Sequence, residues 1–275
     1  MSTLCENDRL ELEEQDLSLF EEPEEYKVPT PEPTFHLFKR KEEDIDILSV
    51  GSHPLWAHVL WNASKCLVWY LDRHKELIRG KNILELGAGG ALPSIISAVN
   101  GAKKVVITDY PDEELIENIK YNITTNLSSH ENIEILGYIW GYNTDPLLNA
   151  ISQSKDSHFD LIIMSDLIFN HSQHSALLKT CEKCLDKHGQ ILVFFTHHRP
   201  HLADRDMKFF EEAQKDNMFK VEKIVEEIME PMFEKDSGSE LVRSTVYGYK
   251  LTHLNNVNNV QIDGYKLEVT LSDRL

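Results

Sequence analysis

The segment Ile83-Leu84-Glu85-Leu86-Gly87-Ala88-Gly89-Gly90-Ala91-Leu92-Pro93 constrains this chain most: an apolar run that turns through glycines into the start of a helix. Glycines at the carboxyl end of a strand let the backbone turn sharply and let a ligand approach the main chain without meeting a Cβ. A doubly wound sheet binds nucleotides at such a turn. Position 92 is Leu, so the last glycine of the dinucleotide fingerprint G-x-G-x-x-G is missing, and no Gly-Lys-Ser/Thr follows to make a P-loop. A plain strand–turn–helix is the structural alternative, but it has no need of glycines behind an acidic strand residue.

From residue 81 onward, short apolar runs alternate with longer amphipathic ones, the pattern of a parallel sheet covered by helices. The predicted strands are Asn82–Leu86, Lys104–Thr108, Ile133–Leu136, Leu161–Met164 and Gln190–Phe195. A closing antiparallel hairpin is expected from Phe219–Ile228 and Leu241–Leu251, joined by a loop with Asp236, Gly238 and Ser239. Before the sheet, Phe35–Phe38 and Ile45–Val50 read as a short hairpin. Leu55–Leu71 reads as a core-facing helix with Trp56, Leu60, Trp61, Leu67 and Leu71 at helical spacings.

Charge and composition exclude several classes. The chain holds 28 Lys plus Arg against 46 Asp plus Glu, a net charge of −18, which argues against gripping nucleic acid or an anionic membrane and favours a cationic partner. Its apolar runs are far short of a membrane span, and the acidic Met1–Leu19 has no signal-peptide pattern, so a soluble protein of the cytosol or nucleus is expected, with the cytoplasm as the assigned compartment. Residues 1–46 carry 15 acidic and 5 basic residues. Four cysteines in 275 residues make no disulfide scaffold, and the lone Cys181-x-x-Cys184 pair reads as buried thiols rather than half of a zinc site. Thr196-His197-His198-Arg199-Pro200-His201 lacks spaced metal-ligand partners, so no metal is expected.

Asp109 stands twenty-two residues after Gly87, at the end of the second strand of the sheet. A carboxylate there can accept both hydroxyls of a ribose, or it can cap the helix that begins near Pro111. Beside the glycine turn, the ribose role is the stronger. Asp166, just past the fourth strand, could face an incoming amine or serve as a loop carboxylate, and Asn170 reads as the cap of the helix containing Leu177 and Leu178.

The Glu85-Leu86-Gly87-Ala88-Gly89 turn, Asp109, the Trp140 region and Ser165-Asp166 resemble seven-β-strand, S-adenosylmethionine-dependent methyltransferases of the family-16 protein methyltransferase group. Phe20-Glu21-Glu22-Pro23-Glu24, Pro54-Leu55-Trp56-Ala57-His58-Val59-Leu60-Trp61-Asn62-Ala63 and Gly90-Ala91-Leu92-Pro93-Ser94 resemble the fungal branch of that group that methylates the N-terminus and an adjacent lysine of translation elongation factor 1-alpha. The likeness covers about residues 18–253.

The resemblance implies an α/β, Rossmann-like, seven-stranded fold, mostly parallel with a C-terminal antiparallel hairpin. Composition sets off an acidic arm (1–33) that is read as mobile, the methyltransferase domain is expected at 34–253, and the Asn-rich C-terminal tail (254–275) is left without an assigned role. Gly87, Ala88 and Gly89 would lie along the methionine moiety of the cofactor and Asp109 on its ribose, with Trp61, Trp140 and Ser165 completing the pocket. Asp166 would orient the amine. The implied partner is elongation factor 1-alpha, with no nucleic acid and no membrane, and the enzyme is expected as a monomer. Placing Gly90 next to Gly89 and Ala at 91 departs from the commonest methyltransferase glycine pattern. Two alternatives stand beside this reading: a small-molecule N-methyltransferase, acting for example on nicotinamide, and a binding module that keeps the fold without catalysis.

Overall fold

The computed structural model describes residues 32–40, 45–49, 59–151, 157–215, 218–232 and 237–254. The expected acidic arm up to Pro31, residues 50–58 at the front of the expected core helix, and residues 255–275 of the tail lie outside these.

An antiparallel ribbon of β1 (Thr34–Phe38) and β2 (Ile45–Ser49) precedes α1 (Asn62–Arg73). Strands and helices then alternate: β3 (Asn82–Leu86), α2 (Leu92–Val99), β4 (Lys104–Asp109), α3 (Glu113–Asn126), β5 (Ile133–Gly137), α4 (Asp145–Ile151), β6 (Phe159–Ser165), α5 (His174–Cys184), β7 (Leu185–Thr196) and α6 (Ala203–Gln214). The chain closes with β8 (Phe219–Ile228), α7 (Glu240–Ser244) and β9 (Thr245–His253). Seven strands form one sheet in the order β5-β4-β3-β6-β7-β9-β8, parallel from β5 to β7 and antiparallel at β7–β9 and β9–β8. No described helix is long and apolar enough to cross a membrane.

Burial on both faces explains why these strands read as apolar runs. On one face Ile83, Val105, Ile107, Leu161, Ile163 and Phe194 pack under α1, α2 and α3. On the other, Leu84, Val106, Ile162, Met164, Val193 and Phe195 pack under α4, α5 and α6. Most strand bounds move by one or two residues, and three elements depart further from expectation. Of the helix predicted over Leu55–Leu71, the described part begins at Asn62, after Trp61, which is extended (φ −65°, ψ 146°) as its N-cap. The second hairpin strand starts at Thr245, since Glu240–Ser244 wind into α7. β7 starts at Leu185 rather than Gln190, bringing Gly189 so near β6 that a Cβ would stand 2.9 Å from the Phe159 carbonyl oxygen.

Two asparagines on α3 fasten the ribbon beside the glycine turn. Asn122 Oδ1 accepts from Leu48 N at 2.8 Å, and its Nδ2 donates to the carbonyls of Leu48 (2.8 Å) and Gly90 (3.2 Å). One turn on, Asn126 makes the same pair of bonds to Asp46, at 3.0 and 2.7 Å. Four helical residues rise about 6 Å and two strand residues about 6.6 Å, so two amides on one helix face can pair the free edge of β2 as a neighbouring strand would. Asn122 is fully buried. Replacing it by Leu orphans three backbone groups and should lower the melting temperature by roughly 5–10 °C, while Asn126→Leu costs less than about 1 kcal/mol. Equal shifts in calorimetry would contradict this.

Glu85 anchors the start of α2. Its carboxylate is buried under that helix, where Ser94 N donates to it at 3.1 Å and the Ser94 hydroxyl donates to the same oxygen. Burial, reinforced by the Asp109 charge and opposed by the two Ser94 donors, pushes its pKa from 4.5 up to about 8. The folded state thus keeps a proton that the unfolded state releases, so stability falls as pH rises through this window. Glu85→Gln keeps an acceptor and removes the titration. In urea unfolding at pH 5 and pH 8, the variant should gain on the native chain as pH rises; parallel pH profiles would contradict the assignment.

Candidate active site

The site lies where strand order reverses beside β3, the crevice at which open α/β sheets take their ligands. Parallel register sets Leu86 level with Thr108 and with Met164, so Gly87, Asp109 and Ser165 emerge together at the carboxyl ends of three adjacent strands. A cavity of about 470 Å³ opens there, within the usual range for small-ligand sites. All eight residues singled out from the sequence line it: Trp61, Gly87, Ala88, Gly89, Asp109, Trp140, Ser165 and Asp166.

The turn after β3 needs its glycines for different reasons. Gly87 (φ +62°) lies so close to Leu167 that a Cβ would stand 2.6 Å from a leucine methyl. Gly89 (φ +53°) is also left-handed, yet a Cβ there would meet no atom within 4 Å, which leaves room for a ligand against its backbone. Gly90, the residue that departs from the usual glycine pattern, is fixed by the ribbon, since a Cβ would come 2.6 Å from Ile47 Cγ2. Ala91 completes the turn at φ +59°.

Asp109 is held by both oxygens: Oδ2 accepts from Gly89 N and Oδ1 from Tyr110 N, each at 2.7 Å. The alternative role as a helix cap belongs instead to Asp112, whose side chain accepts from Glu114 N at 3.0 Å. Asn170 does not cap the helix of Leu177 and Leu178 either. That helix, α5, has Gln173 at its N-cap without a side-chain bond, and Asn170 lines the cavity.

Asp166 occupies an unusual place. It is a non-glycine residue at φ +56°, 3% exposed, with its N–H on Phe194 O at 2.8 Å. Its Oδ1 accepts from Thr196 N (3.2 Å) and faces His198 Nε2 (2.9 Å), whereas Oδ2 is buried with no hydrogen-bond partner among the described residues. Ser165 Oγ is likewise buried and unpartnered. Left-handed backbone and an orphaned buried carboxylate oxygen each cost about 1–3 kcal/mol, so the surrounding structure must enforce this arrangement.

Behind the cavity, Asp206 on α6 ties two loops together: His171 Nε2, after β6, meets Oδ1 and His197 Nδ1, after β7, meets Oδ2, both at 2.6 Å. Among the described residues no group of three or more His, Cys, Asp or Glu could hold a metal ion. Cys181 and Cys184 are buried free thiols on α5, and burial pushes Cys184 up to about 12. Neither is poised as a nucleophile.

The sequence reading missed Tyr110, Tyr138, Ile139, Phe169 and Gln173, which also line the cavity. Tyr110 directly follows Asp109, and Tyr138 and Ile139 lie between β5 and Trp140, so strand ends were the available signal. Tyr110, Ile139 and Phe169 are exposed on the cavity's lining, and its two carboxylates, Asp109 and Asp166, are both buried.

Residues 39–216 match the lysine methyltransferase family. The chain is 45% identical to the protein N-terminal and lysine N-methyltransferase efm7 of Schizosaccharomyces pombe over 241 residues, covering 85% of this chain and 94% of that one. It is 44% identical to the Candida glabrata protein of the same description, covering 86% and 96%. In fold it resembles Pyrococcus horikoshii TYW2 in complex with MeSAdo, at a TM-score of 0.51 and 16% identity over 82% of this chain and 74% of that one. With a family match across most of its sheet and relatives aligned almost end to end, the chain belongs to the lysine methyltransferase family and is an S-adenosylmethionine-dependent methyltransferase.

Proposed function

We propose that this methyltransferase modifies proteins at their N-terminus and at a nearby lysine, and that its substrate is translation elongation factor 1-alpha, methylated at the N-terminal glycine and the adjacent lysine. The observation that carries this is the similarity, spread over nearly their whole length, to relatives described as protein N-terminal and lysine N-methyltransferases. The segments that resemble the elongation-factor branch supply the finer assignment. The catalytic domain is assigned to residues 34–253 and the enzyme to the cytoplasm, acting as a monomer.

S-adenosylmethionine supplies a methyl group already activated on a sulfonium, which leaves the protein to align a neutral amine with it. The residues present suit this cofactor: the cavity is large enough, Gly89 leaves its backbone open, and Ser165 brings a buried hydroxyl without a partner. Asp109 would receive the ribose hydroxyls, and Gly87, Ala88 and Gly89 would lie along the methionine part. Trp61 would wall the site and Trp140 flank the adenine.

Asp166 would orient the substrate amine through its unpartnered Oδ2. An α-amino group near pKa 7.7–8.0 loses its proton at pH 7 for about 1.2 kcal/mol, against about 4.6 kcal/mol for a lysine near 10.4, so the N-terminus is the easier target. A lysine needs more help, from a carboxylate that holds it and a site that desolvates it. The net charge of −18 would draw a basic protein terminus by long-range attraction.

The test is to incubate the purified chain with S-adenosylmethionine and recombinant elongation factor 1-alpha bearing a free N-terminal glycine, and to locate added methyl groups by peptide mass spectrometry. Methylation of the N-terminal glycine and adjacent lysine is expected. An unmodified terminus, with the cofactor bound, would move the substrate elsewhere.

A further inference from the structure

We propose that His198 is the positioning residue of methyl transfer, fixing Asp166 so that one carboxylate oxygen is kept for the substrate amine. The proposal rests on Asp166 being the amine-facing group. Three histidines follow β7, and the structure gives them different places. His197 is buried, bonded through Nδ1 to Asp206 and packed against Phe195 and Tyr247 at ring separations of 5.2 and 5.4 Å. His201 is exposed on the short helical turn Pro200–Leu202. His198 alone of the three turns toward the cavity residues: its ring lies 4.6 Å from that of Trp61, and its Nε2 lies 2.9 Å from Asp166 Oδ1.

A bond between a ring nitrogen and a carboxylate oxygen needs its hydrogen on the nitrogen, so the proposed pairing assigns His198 the Nε2–H tautomer. Together with Thr196 N it gives Oδ1 two donors and leaves Oδ2 with none among the described residues. The two bonds fix the rotation of the carboxyl group as well as its charge. His198 is itself held in place, because Asp206 bridges His197, its chain neighbour, to His171 on the loop that begins at Asp166. Trp61, the extended residue capping α1, packs on the ring. An ammonium or amine meeting Oδ2 would therefore find an acceptor whose direction was set before it arrived, which is how fixed dipoles lower a barrier.

The test compares His198→Leu, which removes the donor, with His198→Gln, whose amide N–H can restore it. A hydrogen bond to a charged group corresponds to roughly 10- to 100-fold, so His198→Leu should lose about that much in kcat on a peptide copy of the substrate terminus. His198→Gln should recover to within about 5-fold of the native rate, and both variants should bind S-adenosylmethionine with unchanged affinity by calorimetry. Full kcat in a folded His198→Leu, failure of Gln to recover the rate, or a parallel loss of cofactor affinity would each overturn the proposal. A second readout is independent of the substrate: nitrogen-15 spectra of the histidine-labelled native chain should show His198 protonated at Nε2. An Nδ1–H tautomer there would overturn the pairing, whereas a native enzyme inactive on the peptide but showing the Nε2–H tautomer would refute the substrate and leave the pairing standing.

Discussion

Parallel register among β3, β4 and β6 is the constraint on which the rest depends. It sets the last residues of three strands level, so that a glycine turn, a carboxylate and a hydroxyl-bearing residue leave the sheet at one point. A slip of one residue in β4 would turn Asp109 to the opposite face and break its bond to Gly89 N. The register is in turn enforced by apolar burial on both faces, with Ile83, Val105 and Leu161 packed on one side and Leu84, Val106 and Ile162 on the other. Chemistry at the strand ends is therefore placed by packing far from it.

The two carboxylates of the cavity are prepared in opposite ways. Asp109 has both oxygens occupied by backbone donors, which fix its orientation at the end of β4. Asp166 has one oxygen doubly served and the other left bare, on a backbone conformation that only strong surroundings sustain. The first arrangement suits a group that binds. The second suits a group that must still make a bond.

Much of this was legible in the sequence, for physical reasons. Asn82–Leu86 and Phe219–Ile228 coincide with their predicted strands to the residue, because a buried or half-buried strand ends where turn residues begin. Gly87, Asp109 and Ser165-Asp166 could be read because strand ends announce themselves by a change from apolar to polar. What could not be read was contact across sequence distance. Asn122 and Asn126 look like polar-face residues of a helix, and nothing in their neighbourhood shows that they pair with β2. His171 and Asp206 are thirty-five positions apart, and His198 and Asp166 thirty-two, so three consecutive-looking histidines gave no sign of their different roles. Nor did the helical spacing over Leu55–Leu71 show that Trp61 is extended and caps α1.

In the proposed site Asp109 binds the cofactor and Asp166 serves the amine. One paired measurement tests it: the dissociation constant for S-adenosylmethionine by calorimetry, set beside kcat at saturating cofactor, for Asp109→Ala and Asp166→Asn. Asp109→Ala should weaken cofactor binding by roughly 10- to 100-fold, and Asp166→Asn should leave that affinity within about 2-fold while lowering kcat by about 100-fold or more. Equal losses of affinity in both variants, or an Asp166→Asn enzyme of native kcat, would contradict the division of labour.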